Sequence, residues 1–346
     1  MTTPIFDGHN DTLLSLWRPK EGEARSFLER SDYGHLDLPR AQEGGLAGGF
    51  FAVFVPPATK EETKLPSEPP FELPLPEPLE LAYAQQATMA MLAIAYRLER
   101  AGALKIVRSA AELGPCLNQG VLAAVLHLEG AEAIDPDLTA LEVFYQAGVR
   151  SLGPVWSRPN AFGCGVPFKF PGSPDTGPGL TAAGQALIAA CNELGIMIDL
   201  SHLNEQGFWD VAKLSQAPLV ATHSNVHALC PSSRNLTDRQ LDAIKDSGGM
   251  VGLNFAVSFL RADGKNDADT PLEVLVRHLD YLVARLGIDH VGLGSDFDGA
   301  TVPRDIKDVT GLPKLLEALR AHGYDEASLR QVAYENWWRV LRLSWH

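Results

Sequence analysis

Apolar and β-branched residues recur along the chain in eight short runs, and most of these runs end at a glycine or a polar cluster. Such runs are typical of buried strands. The eight predicted strands are Ile5–His9, Leu46–Val55, Leu122–Leu128, Arg150–Trp156, Gly195–Leu200, Pro218–Thr222, Gly249–Asn254 and Val291–Ser295.

Between many of these runs, apolar residues return at helical spacing. The predicted helices are Leu79–Ala101, Pro136–Ala147, Thr181–Leu194, Leu236–Ser247, Pro271–Leu286 and a closing helix, Ala327–Leu343. Thr181 and Asn235 are the expected N-caps of the third and fourth helices, because their side chains accept hydrogen bonds from free backbone N–H groups. Alternation of strands and helices indicates a parallel sheet, and eight such strands predict a closed (β/α)8 TIM barrel. An open doubly wound sheet is the alternative.

A proline-rich segment interrupts this alternation. Residues 56–78 hold eight prolines. Proline fixes φ and removes a backbone donor, so the segment is predicted to be extended. We interpret it as an insertion in a single domain that spans residues 1–346. It is either a surface loop that wraps the barrel, or a lid or dimer contact beside the site.

Composition narrows the class of protein. The chain is 45% hydrophobic and carries a net charge of -14, without a Lys/Arg-rich run. This balance disfavours nucleic acid and anionic membranes as partners. We find no long uncharged apolar stretch and no leader-like start, and we therefore expect a cytoplasmic protein. The four cysteines form no CxxC pair. They are expected to be reduced, mostly buried thiols.

Five predicted strand ends carry His, Asp or Glu, where barrel enzymes place their active sites. These candidates are His9 and Asp11, Glu129, His202, His223, and Asp296. Imidazole and carboxylate ligands suit Zn²⁺, and also Mn²⁺, Co²⁺ or Fe²⁺. A single His-x-Asp pair is often incidental, but the conjunction of five strand ends predicts a metal site.

Most of the other histidines do not stand at predicted strand ends beside ligand-type residues. We predict surface or structural positions for His35, His227, His278, His290, His322 and His346. His127 lies two residues before Glu129, so it either packs in the core or supports the ligands from behind.

Seven motifs occur in order over nearly the whole chain: "DGHND" at 7–11, "HLEG" at 127–130, "IDLSH" at 198–202, "ATHSN" at 221–225, "SRN" at 233–235, "GSDFDG" at 294–299 and "ENWWRVL" at 335–341. Together they resemble the membrane dipeptidase (renal dipeptidase-like) family of the amidohydrolase superfamily.

The resemblance implies a binuclear zinc centre on a TIM barrel, with Mn²⁺ or Co²⁺ as substitutes. His9, Asp11 and Glu129 would hold one ion, and a second set would hold the other, with Glu129 bridging. That second set is Glu129, His202 and His223. A hydroxide between the ions would attack the carbonyl.

The same resemblance implies that Asp296 would shuttle the proton to the leaving amine. Arg234 would pair with the free α-carboxylate of the dipeptide, because its planar fork meets a carboxylate bidentately. Family members hydrolyse dipeptides, often with a D-residue at the C-terminal position, and some open β-lactams. A homodimer is expected from the resemblance alone.

One departure concerns the end of the fourth strand, where relatives commonly carry a histidine that contacts the substrate carbonyl oxygen. Trp156 aligns there, and loss of one oxyanion donor costs about 10²–10³ in rate. Arg158 or Asn160 is the expected replacement donor. Two alternatives therefore stay open: a hydrolase of another small amide, such as an N-acyl amino acid or a lactam, and a weakly catalytic metal-binding protein.

Overall fold

The computed structural model describes residues 3–59 and 65–345, which form a ring of eight parallel strands surrounded by helices. The strands of the ring are β1 (Ile5–Asn10), β2 (Leu46–Phe54), β3 (Ala123–Glu129), β4 (Val149–Gly153), β5 (Met197–Ile198), β6 (Val220–Ser224), β7 (Met250–Asn254) and β8 (Val291–Gly294). Each predicted strand is present within a few residues of its expected bounds.

The strand order is β5-β4-β3-β2-β1-β8-β7-β6, so neighbours in the sheet are consecutive in the chain, except that the first strand, β1, pairs with the last, β8. An isolated parallel bridge between Asp199 and Val220 joins the two ends of this path, and the backbone N–H of Leu200 donates to the carbonyl of Val220 at 2.8 Å. These contacts complete the barrel. The (β/α)8 prediction is confirmed, and the open doubly wound sheet is wrong.

The helices pack around this ring. They are α1 (Thr12–Trp17), α2 (Leu38–Glu43), α3 (Leu81–Arg100), α4 (Ala110–Gln119), α5 (Thr139–Gln146), α6 (Ala182–Leu194), α7 (Glu205–Leu214), α8 (Asp238–Asp246), α9 (Val257–Leu260), α10 (Leu272–Leu286), α11 (Leu312–Ala321), α12 (Glu326–Arg330) and α13 (Asn336–Ser344). Short 3-10 turns lie at Ile288–His290 and Val309–Gly311. None of the helices within the described residues is long and apolar enough to cross a membrane.

Of the two predicted N-caps, the one for α6 is confirmed and the one for α8 is wrong. The side chain of Thr181 accepts from the N–H of Gly184 at 3.0 Å and begins α6 as predicted. Thr237, not Asn235, caps α8, in a capping box with Gln240. The amide of Asn235 is committed elsewhere, because it donates to the carbonyls of Cys230 and Phe259.

The closing helix is interrupted by a π turn, Gln331–Glu335, between α12 and α13. Trp337 follows this turn, is fully buried, and donates from its indole N–H to the carbonyl of Leu293 at 3.0 Å. Its ring fills the barrel near the strand starts, because its centroid is 6.1 Å from that of Phe6 and a Cβ at Gly292 would lie 2.7 Å from its Nε1. Phe6 and Gly292 are the second residues of β1 and β8.

The described part of the proline-rich segment is extended and does more than wrap the surface. Phe71–Glu72 pairs in antiparallel fashion with Lys169–Phe170, in the loop after β4. The N–H of Leu73 donates to the carbonyl of Phe168 at 2.9 Å. The segment is therefore attached to a loop at the mouth of the barrel, and residues 60–64 lie outside the described part.

Candidate metal centre and active site

The carboxyl ends of β1, β3, β5, β6 and β8 bring the predicted ligands together. The cluster consists of His9, Asp11, Glu129, His202, His223 and Asp296; the first five are buried and Asp296 is half-buried. Parallel strands of a barrel present their ends at one face, which is why residues distant in the chain meet here.

Glu129 lies at the centre of the cluster, and its two oxygens face different partners. Oε2 is 3.5 Å from Nε2 of His9, which is itself 3.4 Å from Oδ2 of Asp11. Oε1 is 3.0 Å from Nε2 of His202 and 3.7 Å from Nε2 of His223. One carboxylate therefore separates two groups of ligand atoms.

The two later histidines are held so that their Nε2 atoms point into the cluster. Nδ1 of His202 is hydrogen-bonded to Oγ of Ser157 at 2.9 Å, and Nδ1 of His223 to Oγ1 of Thr222 at 2.8 Å. Their Nε2 atoms are 3.1 Å apart. Outer hydrogen bonds of this kind fix ring orientation in metal sites.

His9 stacks on His223 with ring centroids 3.8 Å apart. Both its ring nitrogens are buried without a hydrogen bond to any described residue. Buried polar atoms are rarely left unpaired, so this ring is suited to hold something other than a protein group.

Electrostatics favour a cation in the cluster. Burial raises the pKa of Glu129 to about 7 and also raises that of Asp296. Burial opposes charge on His9 as well, but Glu129 and Asp11 beside it raise its pKa well above the usual range.

Burial lowers the pKa of His202, with help from Arg234, and burial also lowers the pKa of His223. Both rings are therefore neutral, as metal ligands require, and the crowded carboxylates attract positive charge.

Two sets of three ligand atoms lie within 4.8 Å of one another: His9, Glu129 and His223, and His9, Asp11 and Asp296. Nitrogen and carboxylate oxygen donors in such sets fit divalent transition metals. The donor chemistry, the unpaired His9 ring and the neutral His202 and His223 all fit the metal that the sequence predicts.

Two site residues adopt left-handed backbone. His202 has φ 69° and Asp296 has φ 61°. Residues that carry a side chain adopt this conformation at a cost. The turn with Asp296 is tied to β1, because the N–H of Asp296 donates to the carbonyl of His9 at 3.0 Å. Gly299 closes this turn, where a Cβ would clash with Oδ2 of Asp11.

Asn254 is a site residue that the sequence reasoning missed. It is the last residue of β7, is buried, and donates from Nδ2 to Oδ2 of Asp296 at 2.9 Å. The sequence pattern could have identified it, because the predicted seventh strand ends at Asn254 and strand ends lie at the same face of the barrel.

Arg234 lies beside the cluster and is buried. Its Nη1 donates to Oγ of Ser224 and its Nη2 to the carbonyl of His223, both at 3.1 Å, while Nε has no partner among the described residues. Burial lowers the pKa of Arg234 to about 10, and the guanidinium still carries its charge at neutral pH. A cation next to a candidate metal ligand is well placed to meet an anionic group.

Trp156 is half-buried, with its ring centroid 5.8 Å from that of His202. Neither of the expected replacement donors is fully available beside it. Asn160 donates to the carbonyl of Pro154 and accepts from the N–H of Phe162. Arg158 is fully buried and is held by Glu132.

His127 lies behind the cluster. Its Nδ1 is hydrogen-bonded to Oγ of Ser151 at 2.9 Å, its Nε2 is 3.5 Å from Oδ2 of Asp199, and its ring meets that of His9 edge-on at 5.7 Å. Burial lowers the pKa of His127 to about 4, so the ring is neutral. His127 is therefore part of the buried core and also contacts the ring of His9, a candidate ligand.

Comparison with known proteins agrees with this geometry. The model of the membrane dipeptidase family (peptidase family M19) matches residues 1–344. A metallo peptidase from Rhodobacter sphaeroides, solved with a phosphinate mimic of the dipeptide L-Ala-D-Ala, is 57% identical, with 100% of both chains covered and a TM-score of 0.96. A second solved structure, a metallo peptidase of family M19 described as a dipeptidase, is 58% identical, covers 100% of this chain and 99% of its own, and gives a TM-score of 0.94.

A relative from Klebsiella pneumoniae, an uncharacterised protein in the pqqA 5′ region, is 54% identical over 269 residues, or 78% of this chain and 98% of the relative. The match of the family model over nearly the whole chain agrees with the barrel and with the cluster of ligand-type residues at its mouth. The chain therefore belongs to the membrane dipeptidase family, peptidase family M19, a family of metal-dependent hydrolases of dipeptides.

Proposed function

We propose that this chain is a binuclear zinc dipeptidase that hydrolyses dipeptides, including those of the L-Xaa-D-Xaa type. The observation that carries the proposal is the two-sided contact of Glu129, whose Oε2 faces His9 and whose Oε1 faces His202 and His223. A carboxylate placed in this way suits a bridge between two ions. Manganese or cobalt would substitute for zinc, because both accept the same ligands.

In this proposal His9, Asp11 and Glu129 would hold one ion. Glu129, His202 and His223 would hold the other. When bound, the ions would supply a Lewis acid for the carbonyl oxygen and would lower the pKa of a bound water molecule.

Asp296 accepts the proton of the attacking water and returns it to the leaving amine. Asn254 binds Oδ2 of this carboxylate at 2.9 Å, which orients the group and leaves Oδ1 for proton transfer. Burial raises the pKa of Asp296. A base is most effective when its pKa approaches the working pH, so this shift favours proton transfer.

Arg234 recognises the free α-carboxylate of the dipeptide. Its Nε–H has no partner among the described residues. The charge of the buried guanidinium strengthens any hydrogen bond to an anion. A carboxylate next to the scissile bond therefore distinguishes dipeptides from longer peptides. The phosphinate mimic of L-Ala-D-Ala bound by the R. sphaeroides relative supports the choice of substrate.

The first experiment is a hydrolysis screen of zinc-loaded protein against paired L-Xaa-L-Xaa and L-Xaa-D-Xaa dipeptides. We expect turnover that a chelator abolishes and that added zinc or manganese restores. Turnover that persists after exhaustive metal removal would refute the metal dependence. A protein that binds two ions and yet hydrolyses only N-acyl amino acids or lactams would favour the other small-amide activity.

Metal stoichiometry tests the bridge. Glu129→Gln loses one of the two acceptor oxygens, and we expect fewer than two ions per chain by elemental analysis. Glu132→Gln is the matched control, because Glu132 is a buried glutamate three residues along the chain that pairs with Arg158 instead. Two tightly held ions in Glu129→Gln would contradict the bridging role.

A further inference from the structure

Four aromatic rings form a continuous row along one side of the site, which we name the aromatic wall: Phe54, Trp156, Phe168 and Phe259. Ring centroids along the row are 4.8 Å apart for Phe54 and Trp156, 5.6 Å for Trp156 and Phe168, and 6.0 Å for Phe168 and Phe259. Phe54, Trp156 and Phe168 are half-buried and keep accessible apolar surface.

The aromatic wall runs past the metal-ligand cluster. Trp156 and Phe168 lie 5.8 and 6.4 Å from the ring of His202. At one end, the guanidinium of Arg234 is 5.9 Å from the ring of Phe259. The other end consists of Phe54 and Trp156, and among the described residues the guanidinium that lies over these two rings is that of Arg158, not that of Arg234.

A buried ion pair supports this far end. The guanidinium carbon of Arg158 is 5.3 Å from the Trp156 ring and 5.8 Å from the Phe54 ring. At such distances a cation is attracted to an aromatic ring. Nε and Nη2 of Arg158 are 3.3 and 3.1 Å from Oε1 of Glu132, and Nη2 also donates to the carbonyl of Val55 at 2.9 Å.

Burying the ion pair of Arg158 and Glu132 costs free energy. Both side chains are almost fully buried, and Nη1 of Arg158 and Oε2 of Glu132 have no hydrogen bond within the described residues. Apolar replacements of such a pair are often at least as stable, so retaining it is not explained by stability. Its ring and carbonyl contacts instead fix the loops after β2, β3 and β4 relative to one another.

The middle of the wall has a backbone contact as well. The N–H of Leu73, in the proline-rich segment, donates to the carbonyl of Phe168 at 2.9 Å. Both the Phe54 end and the middle of the wall are therefore bonded to neighbouring loops.

We propose that Phe54 and Trp156 bind a large apolar side chain at the N-terminal position of the dipeptide, and that Arg158 is a positioning residue for the indole. The inference rests on the proposed function, in which Arg234 binds the C-terminal carboxylate. The Phe259 end of the wall then faces the C-terminal residue, and Phe54 and Trp156 face the N-terminal one. Apolar surface buried against these rings favours leucine and phenylalanine over glycine.

The test compares kcat/KM for L-Xaa-D-Ala substrates with leucine and phenylalanine at Xaa, and for Gly-D-Ala. We expect the wild type to prefer the large residues to glycine by at least about tenfold, the scale of selectivity that an apolar pocket provides. Trp156→Ala should bring this ratio close to one. Trp209→Ala is the control, because Trp209 lies on helix α7 with Arg239 5.3 Å from its ring, the separation seen for Arg158 and Trp156.

The positioning role is tested in the double variant Glu132→Met/Arg158→Met, which removes both charges and leaves no unpaired ion. We expect KM for L-Phe-D-Ala to rise by about threefold or more relative to Gly-D-Ala, with kcat changed equally for both substrates. An unchanged ratio in the double variant would overturn the role of Arg158.

The outcomes separate the two proposals. A wild type that hydrolyses the series without preference, or Trp156→Ala with the wild-type ratio, overturns the inference about the aromatic wall alone. A wild type that hydrolyses neither this series nor the matching L-Xaa-L-Ala and Gly-L-Ala dipeptides refutes the proposed dipeptidase activity, and the wall inference with it.

Discussion

His278 is expected to make the protein sensitive to mild acid. The imidazole lies on α10, is 1% exposed, and connects the loop after β6 to helix α9. Its Nδ1 accepts from the N–H of Val226 at 3.3 Å, and its Nε2 lies 2.9 Å from the carbonyl of Leu260, to which it donates. The ring must be neutral to make both bonds, and Gln in its place would keep a donor and an acceptor without titrating.

Burial, with Arg277 adding to it, lowers the pKa of His278 from 6.5 to about 4. Above pH 6.5 the ring is neutral in the folded and the unfolded chain, and it adds no pH dependence. As the pH falls from 6.5 to about 4, the unfolded chain takes up a proton that the folded protein excludes. The free energy of unfolding therefore decreases over this range. At about 1.4 kcal/mol per pH unit the full loss is about 3.5 kcal/mol, of which about 2 kcal/mol has occurred at pH 5.

The assay is urea unfolding at pH 7 and pH 5, followed by tryptophan fluorescence, for the wild type, His278→Gln and the exposed control His322→Gln. We expect the wild type and the control to lose about 2 kcal/mol more than His278→Gln between these pH values. Equal losses in all three proteins would show that the acid sensitivity arises from groups other than His278.

Three further predictions concern the site. Asp296→Asn should retain the bound metal ions while kcat falls by about 10²–10⁴, measured by elemental analysis and steady-state kinetics; normal kcat would exclude Asp296 as the proton shuttle. Arg234→Lys keeps the charge but loses the planar fork, and KM for dipeptides should rise by about tenfold or more; an unchanged KM would contradict the carboxylate contact. Asn254→Ala should lower kcat by about tenfold, because it releases Oδ2 of Asp296, and should change KM little. If Asp296→Asn and the double variant Asp296→Asn/Asn254→Ala lose the same amount of kcat, Asn254 acts through Asp296.

Much of the site could be predicted because its signals are local. Each candidate ligand stands at or just after a strand, and in a parallel barrel the strand direction alone assigns these ends to one face. The same logic would have found Asn254, which ends β7. The N-cap of α8 could not be assigned in this way, because Asn235 and Thr237 are both good caps. Only the contacts of Asn235 with Cys230 and Phe259 decide between them.

The strand and helix pattern, the ligand-type residues at the strand ends and the family could all be inferred from the sequence, because hydrophobic period and motif spacing are properties of the chain. The three-dimensional contacts were needed to show that Glu129 faces two groups of candidate ligands, that Arg158 pairs with Glu132 beside Trp156, and that the proline-rich segment pairs with the loop after β4. These contacts join residues far apart in the chain. Their distances are set by closure of the barrel and by which buried polar atoms find partners, and neither is encoded in a local pattern.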